Sequence, residues 1–259
     1  MIVKRPDLCY HGAVCQISEH RRSAIANDHE EGDAAEKAPG RMQRKREATR
    51  AKLLEAAHGV MVEKGVDAAT IREITEKADV GFGTFYNYFE TKDELAAGVL
   101  DCMINSVAAR NDVLTAHIQA DRPDLAMAMS TRMLIRAAHE DPMWGWWVRR
   151  PDILADRLRA GLDSFVQQDI RSAIDLGLFR ISDENVAPVL AMLIWLIVGG
   201  MRDMLIGQQP PDADGLIVEA FMRVMGVSRR SAHELAHGQL PHMPEVKIDF
   251  SFGEAKART

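Results

Sequence analysis

Residues 70–95, TIREITEKADVGFGTFYNYFETKDEL, decide the fold because they contain two helix starts separated by a short turn. Thr70-Ile-Arg-Glu73 is a capping box, in which threonine hydroxyl and glutamate carboxylate each satisfy a free backbone N–H group. Thr91-Lys-Asp-Glu94 repeats this pattern. Asp79 tolerates the left-handed conformation that ends a helix. The stretch predicts a short helix, a turn, another short helix over residues 81–89, and a long helix towards His117.

A first amphipathic helix precedes this stretch. Its apolar residues follow the i, i+3, i+4, i+7, i+8 pattern, and Gly65 supplies its end; they are Leu53, Ala56, Ala57, Val60 and Met61. Two short helices joined by a tight turn and packed on a first helix form a helix-turn-helix. Its second short helix enters the major groove of DNA.

That second short helix reads GFGTFYNYF. Phe85 and Phe89 can face the core together with Val80, which leaves polar side chains outside: Thr84, Tyr86, Asn87 and Tyr88. Hydroxyl groups suit phosphate oxygens, and Gly81 and Gly83 allow the backbone to approach DNA closely.

A basic segment lies directly upstream. It holds one acid, Glu47, and six bases, for a local charge of +5: Arg41, Arg44, Lys45, Arg46, Arg50 and Lys52. The chain as a whole carries a net charge of -6, so the positive charge is concentrated where a duplex would need it. Taken alone, the aromatic residues could simply belong to the core, and the basic segment could be a solvated helix face. Their combination at this spacing favours DNA binding.

Residues 49–95 resemble the DNA-binding domain of the TetR family of transcriptional regulators. The motifs that carry the resemblance are a helix ending in KG, a threonine-capped second helix, T-F-Y-N-Y-F, and a lysine opening the fourth helix. The chain departs from the family pattern at Thr75, Asp79 and Gly81, which affects the geometry of the turn.

The resemblance implies two sets of DNA contacts. Phosphate contacts would come from Thr70, Thr84, Tyr86, Tyr88 and Lys92, and contacts to base edges from Phe82, Gly83 and Asn87. Lys92 also follows the Thr91 cap, where free helix N–H groups attract a phosphate.

The rest of the chain also reads as helices, so the predicted fold is all-α: an N-terminal three-helix helix-turn-helix domain, then a C-terminal helical ligand-binding and dimerisation domain. We expect a disordered arm at 1–41, the DNA-binding domain at 42–95 with its helix-turn-helix at about 69–88, the regulatory domain at 96–237 and a tail at 238–259. Strand-like alternation occurs only in VKIDFSF near the C-terminus.

Dimerisation is predicted from residues 185–206, which are apolar on all sides and must be covered on all sides. Two helices from each subunit would form a four-helix interface, through Leu193, Ile197, Gly200, Met204, Ile217, Phe221 and Val224. Bulky, adaptable side chains predict a pocket for a small apolar ligand: Met127, Met133, Trp144, Trp147, Phe165, Met192 and Trp195. The resemblance implies the same two roles for this domain.

HELAH, residues 233–237, matches the zinc-protease motif H-E-x-x-H. His242 lies five residues after His237, one short of the extended metzincin spacing, and no sheet precedes the motif. We therefore expect a surface helix capped by Ser228, with no catalytic residue, metal or cofactor.

The predicted function is a cytoplasmic, ligand-responsive repressor that binds an inverted-repeat operator in double-stranded DNA as a homodimer, without a membrane partner. Three cysteines without a CxxC pair fit a reduced compartment. Two alternatives remain: a zinc hydrolase using His233, Glu234 and His237, and a DNA-binding protein whose second domain contacts only proteins.

Overall fold

The computed structural model describes residues 40–252, except for the side chains of residues 162–165. Most of the predicted arm at 1–41 and the end of the predicted tail therefore lie outside the described residues. Within them, regular secondary structure is helical, which confirms the all-α prediction. The helices are α1 Arg41–Lys64, α2 Ile71–Lys77, α3 Phe82–Phe85, α4 Lys92–Thr115, α5 Pro123–Ala137, α6 Met143–Trp147, α7 Pro151–Asp175, a 3-10 turn Asp183–Asn185, α8 Val186–Leu205, α9 Asp214–Val224 and α10 Arg229–His237.

The helix ends of the N-terminal region follow the local sequence. The capping box of α2 is complete, because Thr70 Oγ1 accepts from Glu73 N and the Glu73 carboxylate accepts from Thr70 N. At α4, Thr91 Oγ1 accepts from Glu94 N, but the Glu94 carboxylate accepts from Glu90 N instead. Asp79 adopts a φ of 54°, which confirms the predicted left-handed end of α2.

Helix α4 is continuous from the helix-turn-helix into the second half of the chain. Its first turns are buried with α1, where Gly98 allows close packing: a Cβ atom there would lie 3.0 Å from Leu54 Cδ2. Its later residues Met103, Ile104 and Val107 are buried as well. The predicted domain boundary at 95/96 falls inside this single helix and stays a prediction.

A buried charge cluster joins α5 to α9. The Asp214 carboxylate is fully buried and accepts from Arg132 Nε at 2.8 Å and from Arg136 Nη2 at 3.2 Å. Arg132 also donates to the carbonyl oxygen of Gly238, directly after α10. Three elements distant in sequence are thereby fixed together, and loss of Asp214 would leave the buried Arg132 guanidinium without its carboxylate partner.

Residues 238–252, which we call the C-terminal strap, belong to the predicted tail at 238–259 and pack along α4; the bounds of the tail stay a prediction. The alternating apolar side chains Val246, Ile248, Phe250 and Phe252 face the core. The strap is also held by hydrogen bonds from Asp249 N to Ser106 Oγ at 2.9 Å and from Cys102 Sγ to the Phe252 carbonyl at 3.1 Å. Because every second residue is apolar, an extended segment can cover a helix without a sheet.

Helix α8 is buried on one side only. Leu193, Ile197 and Met204, predicted for a dimer interface, lie in the core of this chain. Ile217 and Phe221 of α9 are buried too, and Gly200 lets α8 approach Ile217 of the same chain. These five residues and Gly200 therefore pack α8 against neighbouring helices of one subunit, which corrects the prediction for them. Val224 is exposed, and its place in a dimer interface stays a prediction.

The segment Asp183–Leu205 is long and apolar enough to cross a membrane by composition, although less than half of its most apolar window is buried in the protein. A core helix of a protein that spans no membrane can have the same length and composition.

Candidate nucleic-acid interface

The outer side of α3 is a continuous exposed surface. Phe85 and Phe89 are buried, as predicted, and hold the helix on the core. Phe82 and Tyr86 are 53% and 54% exposed, with rings in edge contact at 5.8 Å between centroids. Other predicted contact residues lie on the same surface: Gly81, Gly83 and Asn87 are exposed, and Thr84 and Tyr88 are half-buried.

The basic segment of α1 lies beside the turn that follows α3, because α3 ends at Phe85 rather than at the predicted Phe89. The Arg46 guanidinium lies 6.0 Å from the centre of the Tyr88 ring, and that of Arg50 lies 5.4 Å from the Phe89 ring. Arg44, two residues before Arg46, is exposed. The structure thus brings the positive charge next to the helix whose polar side chains face outward.

Two predicted phosphate contacts lie at helix starts. Thr70 is exposed at the N-terminus of α2, but its hydroxyl group donates a hydrogen bond to the Glu73 carboxylate. The Lys92 ammonium donates to the carbonyl oxygens of Val66, Asp67 and Ala69, at 2.9, 3.0 and 2.9 Å. An ammonium has three donors, so Lys92 braces the α1–α2 loop and has no spare donor in this geometry. A phosphate at the N-terminus of α4 would therefore be bound by the backbone N–H groups of that helix.

A short exposed helix that begins after Gly81 and lies near positive charge suits insertion into the major groove. Arginines and free N–H groups at helix starts attract the phosphates and set the position. Exposed side chains of α3 and of the turn after it can then reach base edges, where Asn87 of that turn has the donor and acceptor that pair with adenine.

The predicted ligand-pocket residues are not brought together as expected. Met127, Met133, Trp144 and Trp147 are buried, but Met192 and Trp195 are exposed on α8, which corrects their assignment. The side chain of Phe165 lies outside the described residues. The Trp147 indole N–H is buried and has no acceptor among the described groups.

A cavity of about 240 Å³ lies instead at the junction of α1, α4, α6 and the C-terminal strap. Its apolar lining includes Met103, Val107, Trp144, Val246, Ile248 and Phe250. Its polar lining includes His58, Glu140, Asp141 and Glu245. Of the predicted pocket residues with described side chains, Trp144 alone borders this cavity.

A hydrogen bond at this cavity connects the helix-turn-helix to the second half of the chain. His58 Nε2 of α1 lies 2.6 Å from Asp141 Oδ2, and Asp141 Oδ1 accepts from Met143 N at 2.8 Å. Burial alone would raise the pKa of Asp141, but these two hydrogen bonds outweigh burial and lower it. Asp141 is thus held as a carboxylate between the two parts.

The HELAH residues lie on α10, which Ser228 caps as predicted. Both histidines are exposed and contact Glu219 of α9, whereas Glu234 pairs with Arg230 at 2.9 Å. Sequence reasoning missed Glu219, because a single glutamate on an amphipathic helix carries no signal of its own. It also missed the bracing role of Lys92 and the packing role of Gly98.

Known proteins resemble both halves of the chain. Residues 53–99 match the profile of bacterial regulatory proteins of the tetR family, and residues 122–238 match a tetracyclin repressor-like C-terminal domain. An HTH-type transcriptional repressor of Mycobacterium tuberculosis (strain H37Rv) is 31% identical over 122 residues, which cover 46% of this chain and 63% of the relative. The repressor KstR of Mycolicibacterium smegmatis is 28% identical over 112 residues, 43% of this chain and 54% of KstR. The chain thus matches less than two thirds of the length of these relatives.

One solved structure matches over nearly its whole length. RolR in complex with resorcinol is 30% identical, with a TM-score of 0.69 over 78% of this chain and 99% of RolR. RolR without ligand gives a TM-score of 0.67 at 29% identity, over 75% of this chain and 100% of RolR. The likeness thus extends from the helix-turn-helix through the second domain.

Proposed function

Because this chain belongs to the TetR family of DNA-binding transcriptional regulators, we propose that it is a homodimeric repressor in the cytoplasm. It binds an inverted-repeat operator and leaves it when a small, largely apolar molecule enters its second domain. The two named repressors among its relatives support repression as the mode of regulation.

The observation that carries the proposed dimer is an exposed apolar face on α8 and α9. On α8, Pro188, Met192, Trp195 and Gly199 are exposed at spacings of three and four residues, so they lie on one side. On α9, Leu216, Ala220 and Val224 are exposed at spacings of four. Trp195 is 48% and Leu216 62% exposed.

A second copy of this face is the partner that best covers it. Helices related by a two-fold axis present identical surfaces, so an apolar stripe on each is covered by its own counterpart. Among the described residues, no side chain lies within 4 Å of the position of a Cβ atom on Gly199, so a partner helix can approach there. The dimer then places two α3 helices on one duplex, and half-sites follow at about one helical turn or slightly more.

Light scattering tests the dimer. The wild-type chain should have twice its 28.8 kDa mass. Trp195→Glu should shift the mass to the monomer and weaken operator binding, since a carboxylate would be buried without a partner in the interface. Leu176→Glu is the matched control, because Leu176 is exposed to a similar degree outside this face. A dimer unchanged by Trp195→Glu would contradict the proposed interface.

Three features support the proposed ligand response. RolR, similar over most of the chain, was solved with resorcinol. The cavity at the α1–α4 junction is lined by Met103 and Val107 of α4, so a molecule there would contact the helix that leads to the DNA-binding region. The lining of this cavity combines apolar side chains, Trp144 among them, with the carboxylate groups of Asp141 and Glu245, which suits a small ring that carries a hydroxyl group.

We expect a ligand with one ring and one or two hydroxyl groups, since the cavity is small and bordered by carboxylates that accept hydrogen bonds. A thermal-shift screen of such phenols, starting with resorcinol, tests this. A binding compound should lower operator affinity, and Trp144→Leu should weaken its binding, because Trp144 lines the cavity. If no compound binds, or binding leaves operator affinity unchanged, the alternative of a second domain that contacts only proteins is favoured.

The zinc-hydrolase alternative has less support, because the matched family consists of transcriptional regulators and Glu234 is paired with Arg230. Glu234→Gln separates the two functions. It should leave operator binding unchanged, whereas a hydrolytic activity that it abolishes would contradict the regulator proposal.

A further inference from the structure

Glu219, His233 and His237 form a cluster on the surface where α9 and α10 meet. His233 Nδ1 lies 2.9 Å and His237 Nε2 lies 3.3 Å from the same oxygen, Glu219 Oε2. The three candidate ligand atoms all lie within 4.8 Å of one another. The centroids of the two imidazole rings are 4.5 Å apart, and the ring planes are tilted by 36°.

The helix pair fixes this arrangement. His233 and His237 are one turn apart on α10, whose buried residues Ala232, Leu235 and Ala236 hold it against the rest of the protein. Just after α10, the Gly238 carbonyl accepts from the buried Arg132, which anchors the end of the helix.

Gly215 of α9 makes room for one of the rings. A Cβ atom at Gly215 would lie 2.7 Å from both Cε1 and Nδ1 of His237, so any larger residue would displace this imidazole. Gly215 and Glu219 are one turn apart on α9. One face of α9 therefore offers a recess for the His237 ring and a carboxylate for its Nε2 atom.

Two imidazole nitrogens and one carboxylate oxygen form a ligand set that zinc and related transition metals prefer. Zinc bonds to such atoms are about 2.0–2.2 Å long, so ligand atoms in a tetrahedral site lie roughly 3.4 Å apart. The two distances from Glu219 Oε2, 2.9 and 3.3 Å, are close to that value. Small side-chain rotations would complete the geometry, and both histidines are exposed enough for an ion to enter.

We propose that Glu219, His233 and His237 bind a divalent transition-metal ion, with zinc as the test case and its remaining coordination position open to solvent. The H-E-x-x-H motif contributes its two histidines to this site but not Glu234, whose carboxylate pairs with Arg230. Glu234 is therefore not placed as a general base, and the proposed role of the ion is structural. A bound ion would tie α10 to α9 and thereby stabilise the C-terminal part of the fold. This inference does not depend on the proposed dimer or on the proposed ligand.

Isothermal titration of the untagged, full-length, chelator-treated chain with zinc chloride tests the site. We expect one binding event per chain that His233→Ala, His237→Ala or Glu219→Gln each weakens about tenfold or more. Glu234→Gln and His139→Ala are matched controls and should keep the wild-type affinity. Because Cys9 and Cys15 also offer zinc ligands, the Cys9→Ser/Cys15→Ser double variant should keep this binding event too.

Thermal unfolding gives a second readout that separates lost binding from lost folding. Zinc should raise the Tm of the wild-type chain and of Glu234→Gln, but not that of Glu219→Gln, which keeps the size and shape of the side chain. Magnesium, which prefers oxygen ligands, should raise neither. Absence of saturable zinc binding, or wild-type affinity in all three ligand variants, would overturn the proposal, as would an equal response to magnesium.

Discussion

At the scale of single residues, Lys92 contributes to the fold of the DNA-binding region more directly than to DNA contact. Its ammonium binds three carbonyl oxygens of the loop between α1 and α2. Lys92→Met keeps the aliphatic part of the side chain and removes these charged hydrogen bonds. We expect a loss of about 1–3 kcal/mol in the free energy of unfolding, measured by urea denaturation. The exposed Lys52→Met is the matched control and should be nearly neutral; equal stability of the two variants would refute the bracing role.

Glu73 makes the start of α2 sensitive to acid. Hydrogen bonds from Lys64 and then from Thr70 lower the pKa of Glu73 from 4.5 to about 2. A carboxylate with a lowered pKa in the folded state stabilises it above its unfolded pKa, and this contribution is lost as pH falls from about 4.5 towards 2. Glu73→Gln should therefore lose less stability than the wild type across that window, as measured by denaturation at each pH. Glu76→Gln on the same helix should retain the wild-type pH profile, and a matching profile for Glu73→Gln would contradict the assignment.

At the scale of elements, the close packing of α4 on α1 determines how motion could pass from the second domain to DNA. A Cβ atom at Gly98 would lie 3.0 Å from Leu54 Cδ2 and 3.5 Å from Phe89 Cε1. Gly98→Val should force the two helices apart, with a cost of about 1–3 kcal/mol in stability and weaker binding to DNA. Gly145→Val is the control, since no atom of another described residue crowds a Cβ atom there within 4 Å. Equal effects of the two variants in denaturation and DNA titration would show that the contact between α1 and α4 is not tight.

The sequence predicted those features that depend on neighbouring residues. The capping box at Thr70 and the left-handed turn at Asp79 depend on residues only a few positions apart, so a short stretch of sequence is enough to predict them. Periodicity also identified α8 as apolar on both sides. It gave no means of deciding which side faces the core, and the interface residues Leu193 and Ile197 were accordingly assigned to the wrong side.

Features that join distant segments could not be predicted in the same way. Arg132 and Asp214 are 82 residues apart and meet only because α5 packs on α9. Glu219 likewise becomes part of a cluster only when α10 folds back onto α9. The alternation in the strap was visible, but its position over α4 depends on the whole fold.

At the scale of the whole molecule, the proposed response requires that ligand and DNA prefer different separations of the two α3 helices. A molecule between α4 and the C-terminal strap would shift α4 and, with it, the DNA-binding region of each subunit. Strong release requires a preference of several kcal/mol for the form that does not bind DNA. Linkage then predicts that operator DNA weakens ligand binding by the same factor by which ligand weakens operator binding. Calorimetric titration of a ligand with and without operator checks this, and identical affinities would exclude the mechanism.

We propose that DNA binds to the exposed side of α3 and the turn after it, together with the basic part of α1. Selection of bound duplexes from a random pool, followed by anisotropy titrations at two salt concentrations, tests it most directly. We predict an inverted repeat among the selected sequences. Tyr86→Phe should weaken binding to selected and random duplexes alike, because a phosphate contact carries no base information. Asn87→Ala should relax the preference at one position of each half-site by about 1–3 kcal/mol. Failure to enrich any sequence, together with wild-type affinity in both variants, would contradict this interface.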